Sequence, residues 1–196
     1  VHGNGEDQFC DRLEQVLARF QRHLIILKPT KCKFDLQLIE YCGREISKEG
    51  LSMSKKKVQK VLDFPKPQTA GDMKKFVGLT NYFHDYVHHH SIIMKPLHDM
   101  IQNYEKRTRG KALVWTQEGE DSFYEIIKEI EKNHTMFFPR DDCPIFLITD
   151  ACKFGIGGYC FQLVDNKEQP VAFVSKALSF AQFKWSILQK EAYAIY

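Results

Sequence analysis

Two carboxylates towards the end of this 196-residue chain are the groups whose placement could do chemistry. Asp150 ends the apolar run Pro144-Ile145-Phe146-Leu147-Ile148-Thr149, which reads as a strand buried on both faces. Glu191 lies in a segment, 180–196, whose apolar residues Phe183, Ile187, Leu188, Ala192 and Ile195 recur at helical spacing. A strand and a neighbouring helix can point two carboxylates at one divalent cation, and such oxygen donors suit Mg²⁺. Two-metal hydrolysis of a phosphodiester asks for more, usually about four carboxylates around two ions ~4 Å apart. A turn and a solvated helix surface would select the same residues, so type and spacing alone leave both roles open.

Two further groups invite a reading. His84 and His88 stand one helical turn apart, the spacing of two metal ligands, with His89 and His90 following. The residue after His84 is Asp85 rather than the Glu of H-E-x-x-H, so a solvated, weakly basic face is the better reading. Lys74 and Lys75 adjoin Phe76, Tyr82, Phe83 and Tyr86, a mixture that can grip nucleic acid. Most of these aromatics fall on an apolar stripe and belong to a core, which leaves the lysines to make contacts.

Charge supports that division. Residues 22–75 hold thirteen Lys/Arg against six Asp/Glu, whereas 117–142 hold eight acids against three bases. The first block contains Lys31, Lys33, Arg44, Lys55, Lys56, Lys57, Lys74 and Lys75, the candidate contacts to a phosphate backbone. Six cysteines without a C-x-x-C pair argue against a disulfide framework or zinc site and for a reduced, intracellular setting. No run of eighteen apolar residues is present, so no membrane span is expected. The first residues, Val1-His2-Gly3-Asn4, lack a starting Met and a signal-peptide core, as the inside of a longer polypeptide would.

The elements that must position these residues follow in order. Phe9, Leu13, Val16, Leu17 and Phe20 define an amphipathic helix over 6–21 that should face a core. Short strands are expected at 24–27, 31–34 and 39–46, with Gly50 at a turn. Ser54 can cap a helix to Leu62, and Thr69-Ala70-Gly71-Asp72 resembles a capping box that starts another. Gly78 inside that helix points to a close helix contact. Pro96 is expected early in the following helix, 104–111 reads as a linker, and Thr116 caps an acidic helix facing inward through Phe123, Ile126, Ile127 and Ile130. Strands at 155–161 and 171–175 join the Asp150 strand across an Asp165-Asn166-Lys167 turn, and Ser179 can cap the last helix.

The order of motifs is more specific than any one of them. Leu27-Lys28-Pro29-Thr30-Lys31-Cys32-Lys33-Phe34, Ile39-Glu40-Tyr41-Cys42-Gly43-Arg44-Glu45-Ile46-Ser47 and the run from Val58 to Pro67 resemble reverse transcriptases of Gypsy-type long-terminal-repeat retrotransposons. Met73-Lys74-Lys75-Phe76-Val77-Gly78-Leu79-Thr80-Asn81-Tyr82-Phe83 is similar to that family's thumb signature. Val114-Trp115-Thr116, Thr149-Asp150-Ala151 and Lys190-Glu191 continue the match to the end.

The resemblance implies an α/β (α+β) chain from a Pol polyprotein. Residues 1–50 would be the end of the polymerase palm with its primer-grip strands, and 51–103 a helical thumb. Residues 104–142 would be a linker and connection helix, and 143–196 the N-terminal half of an RNase H-like domain, a truncated mixed sheet with a helix. Asp150 and Glu191 would be catalytic residues and ligands of Mg²⁺, activating water for in-line attack. The implied partners are an RNA–DNA hybrid or template–primer duplex and the remainder of the polyprotein. The implied setting is intracellular: cytoplasm, nucleus or virus-like particle. Phe83-His84-Asp85-Tyr86-Val87 departs from the family's Tyr-Arg-Arg-Phe-Ile, which weakens the basic face, and Trp185-Ser186-Ile187-Leu188-Gln189 departs from Tyr-Ser-x-x-Glu. The polymerase aspartates and two RNase H carboxylates are absent from these residues. The chain alone is therefore expected to lack both activities, with a non-catalytic nucleic-acid- or protein-binding remnant as the alternative. Without a further strand beside 145–149, self-association is also expected.

Overall fold

The computed structural model describes residues 1, 3, 5–34, 36–102 and 112–196. The expected linker at 104–111 falls outside them. The described residues form two compact units, 1–37 and 38–196.

The first unit is built on α1, Glu6–Arg22. Glu6 and Asp7 in its first turn and Arg19 and Arg22 in its last complement the helix dipole. The expected helix is present, but none of its residues is buried, so the expectation that its apolar stripe is covered is not met within the first unit. The strand expected at 24–27 does not form. Leu24 takes a left-handed φ of 54°, Leu24 and Ile26 are 87% and 95% exposed, and among the described residues no strand pairs the run. Pro29–Lys31 is a single 3-10 turn in place of the next expected strand.

The second unit opens with a hairpin. Cys42 and Gly43 both have positive φ, 51° and 77°, the backbone of a tight two-residue turn that suits glycine at its second position. The expected strand 39–46 is therefore two antiparallel strands, β1 Leu38–Tyr41 and β2 Arg44–Ser47. Gly50 does not mark the turn; it begins β3, Gly50–Met53, where a Cβ would meet the Met136 carbonyl of β4, Met136–Phe137. The sheet order is β1-β2-β3-β4.

Between β3 and β4 the described residues form four helices: α2 Lys55–Leu62, α3 Ala70–Thr80, α4 His90–Gln102 and α5 Gln117–Lys132. The starts of α3 and α5 are legible in side chains, whereas Ser54, the expected cap of α2, makes no side-chain capping bond. Thr69 Oγ1 accepts the Asp72 amide hydrogen and donates to the Asp72 carboxylate, and Thr116 Oγ1 accepts from Gly119 N. Met53, Val61, Met73, Phe76, Leu97 and Ile126 are wholly buried, and Phe76 lies between the rings of Phe64 and Phe123 at 5.4 and 4.7 Å. Burial of side chains this size stabilises the unit by roughly 1.5–3 kcal/mol each. Gly78 makes no close helix contact, since a Cβ there would enter open space. Pro96 is not early in α4 but at its seventh position, because the helix already begins at His90.

The second sheet is antiparallel, β5 Ile145–Ala151, β6 Gly155–Val164 and β7 Lys167–Ala177, in that order. Asp165 and Asn166, with φ of 51° and 60°, make the β6–β7 turn. β5 is an edge strand and its residues 145–148 are exposed, not buried on both faces. The last helix begins later than Ser179: a 3-10 turn spans Gln182–Lys184, and α6 runs Ile187–Ile195. Ser179 Oγ instead donates to Gln182 Oε1.

Candidate active site and nucleic-acid interface

Asp150 is the penultimate residue of β5, opposite Gly157 of β6, and its side chain is exposed. α6 packs on β5 and β6, so Glu191, half-buried, is carried on the element next to the Asp150 strand. The start of α6 is fixed by a capping box. Ser186 Oγ accepts from Gln189 N, and Gln189 Oε1 accepts from Ser186 N at 2.9 Å. Gln189 thus performs the cap that a glutamate there would make, and the helix carrying Glu191 keeps its register. Beside Glu191, the buried Lys190 donates Nζ to the Phe183 carbonyl at 3.2 Å. Lys176 Nζ donates to Tyr193 Oη at 2.6 Å, which lowers the phenol pKa.

The donors fit a hard divalent cation in kind, both being carboxylates. They do not form a closed set, for among the described residues no group of three His, Cys, Asp or Glu converges. Asp150 and Glu191 would supply two ligands, leaving most of an octahedral Mg²⁺ shell to water and substrate.

The histidines prove structural. His84 lies in the 3-10 turn Asn81–Tyr86 and His88 in the turn after it, so they do not share a helical face. His84 Nε2 is 2.8 Å from the Ser175 carbonyl of β7, and Ser91 donates Oγ to the same carbonyl and its amide to Ser175 Oγ. This clasp joins the helices to the second sheet. His89 lies over Gly157, where a Cβ would come within 2.7 Å of Nδ1. Its ring lies tilted against His88 with centroids 3.7 Å apart, and His88 stands 5.5 Å from Phe173. Burial, then the His89 charge, lowers the His88 pKa, while Glu129 and Asp150 oppose that shift through space. The sequence carried little warning of this contact; Gly157 on β6 is its trace.

The candidate phosphate contacts divide unevenly. Lys31 and Lys33 are exposed in the first unit. Lys55, Lys56 and Lys57 open α2 beside the hairpin, where Lys56 pairs with Glu40 at 3.4 Å and the Lys55 amide donates to Glu45. Lys57 lies 4.2 Å over the Tyr82 ring, and Tyr82 Oη donates to the Cys42 carbonyl. Arg44 is held 3.7 Å from Asp85 and packs on the Tyr86 ring. Lys74 and Lys75 are exposed on α3, Lys75 paired with Asp72. Among these candidates in the second unit, Lys55, Lys56, Lys74 and Lys75 are exposed, Lys56 and Lys75 beside their acidic partners, whereas Arg44 and Lys57 are half-buried.

Residues 115–196 match the RNase H-like domain found in reverse transcriptase. Over its whole length the chain is 24% identical to the retrovirus-related Pol polyprotein from transposon opus of Drosophila melanogaster, spanning 20% of it. It is 26% identical to the transposon Tf2-3 polyprotein of Schizosaccharomyces pombe, again over its whole length, spanning 14% of that protein. The fold superposes on the foamy viral protease-reverse transcriptase in complex with RNA/DNA hybrid with a TM-score of 0.72 and 20% identity, covering 95% of this chain and 25% of that one. Residues 115–196 are thus similar to the RNase H-like domain of reverse transcriptases, and the chain as a whole is similar to a segment of retrotransposon Pol polyproteins.

Proposed function

We propose that this chain serves an RNA-directed DNA polymerase with ribonuclease H activity, gripping an RNA–DNA hybrid or template–primer duplex within a longer Pol polyprotein inside the cell. The observation that carries the reading is Asp150 at the end of β5 with Glu191 on the helix packed against it, inside the segment matched to an RNase H-like domain. A bound Mg²⁺ would activate water and stabilise the leaving oxygen of the scissile phosphodiester. The chain's own part is to hold two carboxylates on rigid elements and to take the strand phosphates on Lys55, Lys56, Lys74 and Lys75. In a polyprotein containing these residues, Asp150→Asn or Glu191→Gln should lower Mg²⁺-dependent hybrid cleavage by about a hundredfold, with binding little changed. Undiminished cleavage would remove both residues from the site.

With two carboxylates and no third candidate ligand beside them among the described residues, the 196-residue chain by itself should not cleave. The same observation favours a second reading, a module that binds nucleic acid without catalysis. Robust cleavage of a labelled hybrid by the purified chain in Mg²⁺ would exclude it.

A further inference from the structure

A cavity of about 520 Å³ opens between α4 and the start of β6, closed on its third side by the segment 177–183. Its size is that of a small-ligand site, and it sits where two layers of the unit meet, a usual place for one. Three phenyl rings line it: Phe154, Phe180 and Phe183. Phe180 is 79% exposed, an unpacked aromatic at a cavity mouth. The lining also holds neutral hydrogen-bonding groups, among them Asn81, Ser91 and Gln102.

The charge pattern narrows the ligand. The one ammonium within the lining, Lys95, is already balanced by Asp99 at 2.7 Å and lies over the Phe154 and Phe183 rings. Lys95 is therefore not spare for a phosphate or carboxylate within the cavity. At the rim, Lys153 lies 5.4 Å from the Phe154 centroid and Lys184 5.5 Å from that of Phe180, both exposed. Aromatic faces and neutral hydrogen-bonding edges within, with cations without, match a nucleotide whose base is inserted and whose phosphate stays outside. A duplex keeps its bases stacked and paired, so only an unpaired base can enter.

We propose that this cavity binds a single unpaired nucleobase, stacked on Phe180 and Phe183, with its phosphate on Lys153 and Lys184. The proposal deepens the nucleic-acid-binding reading and rests on it. The base could belong to a free nucleotide or to a single strand.

The test uses 2-aminopurine, whose fluorescence falls on stacking. The full chain is titrated into 2-aminopurine riboside 5′-monophosphate, into a single-stranded oligonucleotide with one central 2-aminopurine, and into the same oligonucleotide paired with its complement. The expected result is saturable quenching with the single strand and none with the duplex. Quenching of the mononucleotide as well would make free nucleotides ligands; its absence would assign the cavity to a base within a strand. Phe180→Ala, at an exposed position that should not disturb folding, should weaken single-strand binding by about tenfold. Lys184→Ala should weaken it and flatten its salt dependence. No quenching with any probe, or binding unchanged in Phe180→Ala, overturns the proposal. If a hybrid gel shift survives in that case, the general nucleic-acid reading stands and only the base site falls.

Discussion

His90 shows how one buried side chain couples this protein to pH. It is 3% exposed, its Nε2 is 3.2 Å from the Thr80 carbonyl, and burial, with the nearby His84 charge, lowers its pKa from 6.5 to about 4. Because the unfolded chain takes up this proton first, the stability His90 contributes is present above pH 6.5 and lost as pH falls towards 4. At pH 5 the loss should be about 2 kcal/mol. Urea melts at pH 7.5 and 5 should show it, and His90→Gln should remove that part of the difference; an unchanged pH dependence would assign it elsewhere. Gly157 makes a second test. Gly157→Ala should cost about 1–3 kcal/mol because its Cβ meets the His89 ring, and His89→Gly should return most of that loss in a thermal melt. Equal losses in both backgrounds would mean the ring is not the obstacle. Asp150 and Glu191 could be named as candidates from residue type and motif order. The histidines could not, because their role comes from packing against β6 and β7, strands more than sixty residues away.

At the scale of elements, α5 is tied to β3 by one side chain. Asn133 ends the helix with a left-handed φ of 43°, donates Nδ2 to the Met53 carbonyl and accepts the Met53 amide on Oδ1. It stands in for a strand's backbone. Asn133→Ala removes both bonds and strains the cap, and should cost about 2 kcal/mol in a denaturant melt; a change under about 0.5 kcal/mol would show the clasp to be incidental. The edge strand β5 presents Ile145, Leu147 and Ile148 at 57–59% exposure. Such an edge invites another strand, so sedimentation should shift with concentration, and Leu147→Lys should suppress the shift. A monomer at all concentrations would contradict this. Helices were the legible elements, because period and caps are local: Thr69, Thr116 and the stripe of α5 mark theirs directly. Strands were less so. The run 39–46 hides a hairpin whose turn depends on two positive φ angles, and 24–27 has strand residues without a strand to pair with.

Across the whole chain, the two carboxylates and the lysine-bearing helices are parts of one task only if a nucleic-acid duplex engages this protein. The charge block pointed to that from composition, but the structure alters which charges are available, since Arg44, beside Asp85, and Lys57, over Tyr82, are half-buried. The central measurement is therefore the affinity of the purified chain for an RNA–DNA hybrid across a salt series. Binding through phosphates should weaken steeply, log Kd rising linearly with log salt at a slope near the number of contacts. Replacing Lys55, Lys56, Lys74 and Lys75 together by Ala should reduce that slope by roughly three to four. Affinity that is absent at low salt, or insensitive to both salt and these substitutions, would contradict the account.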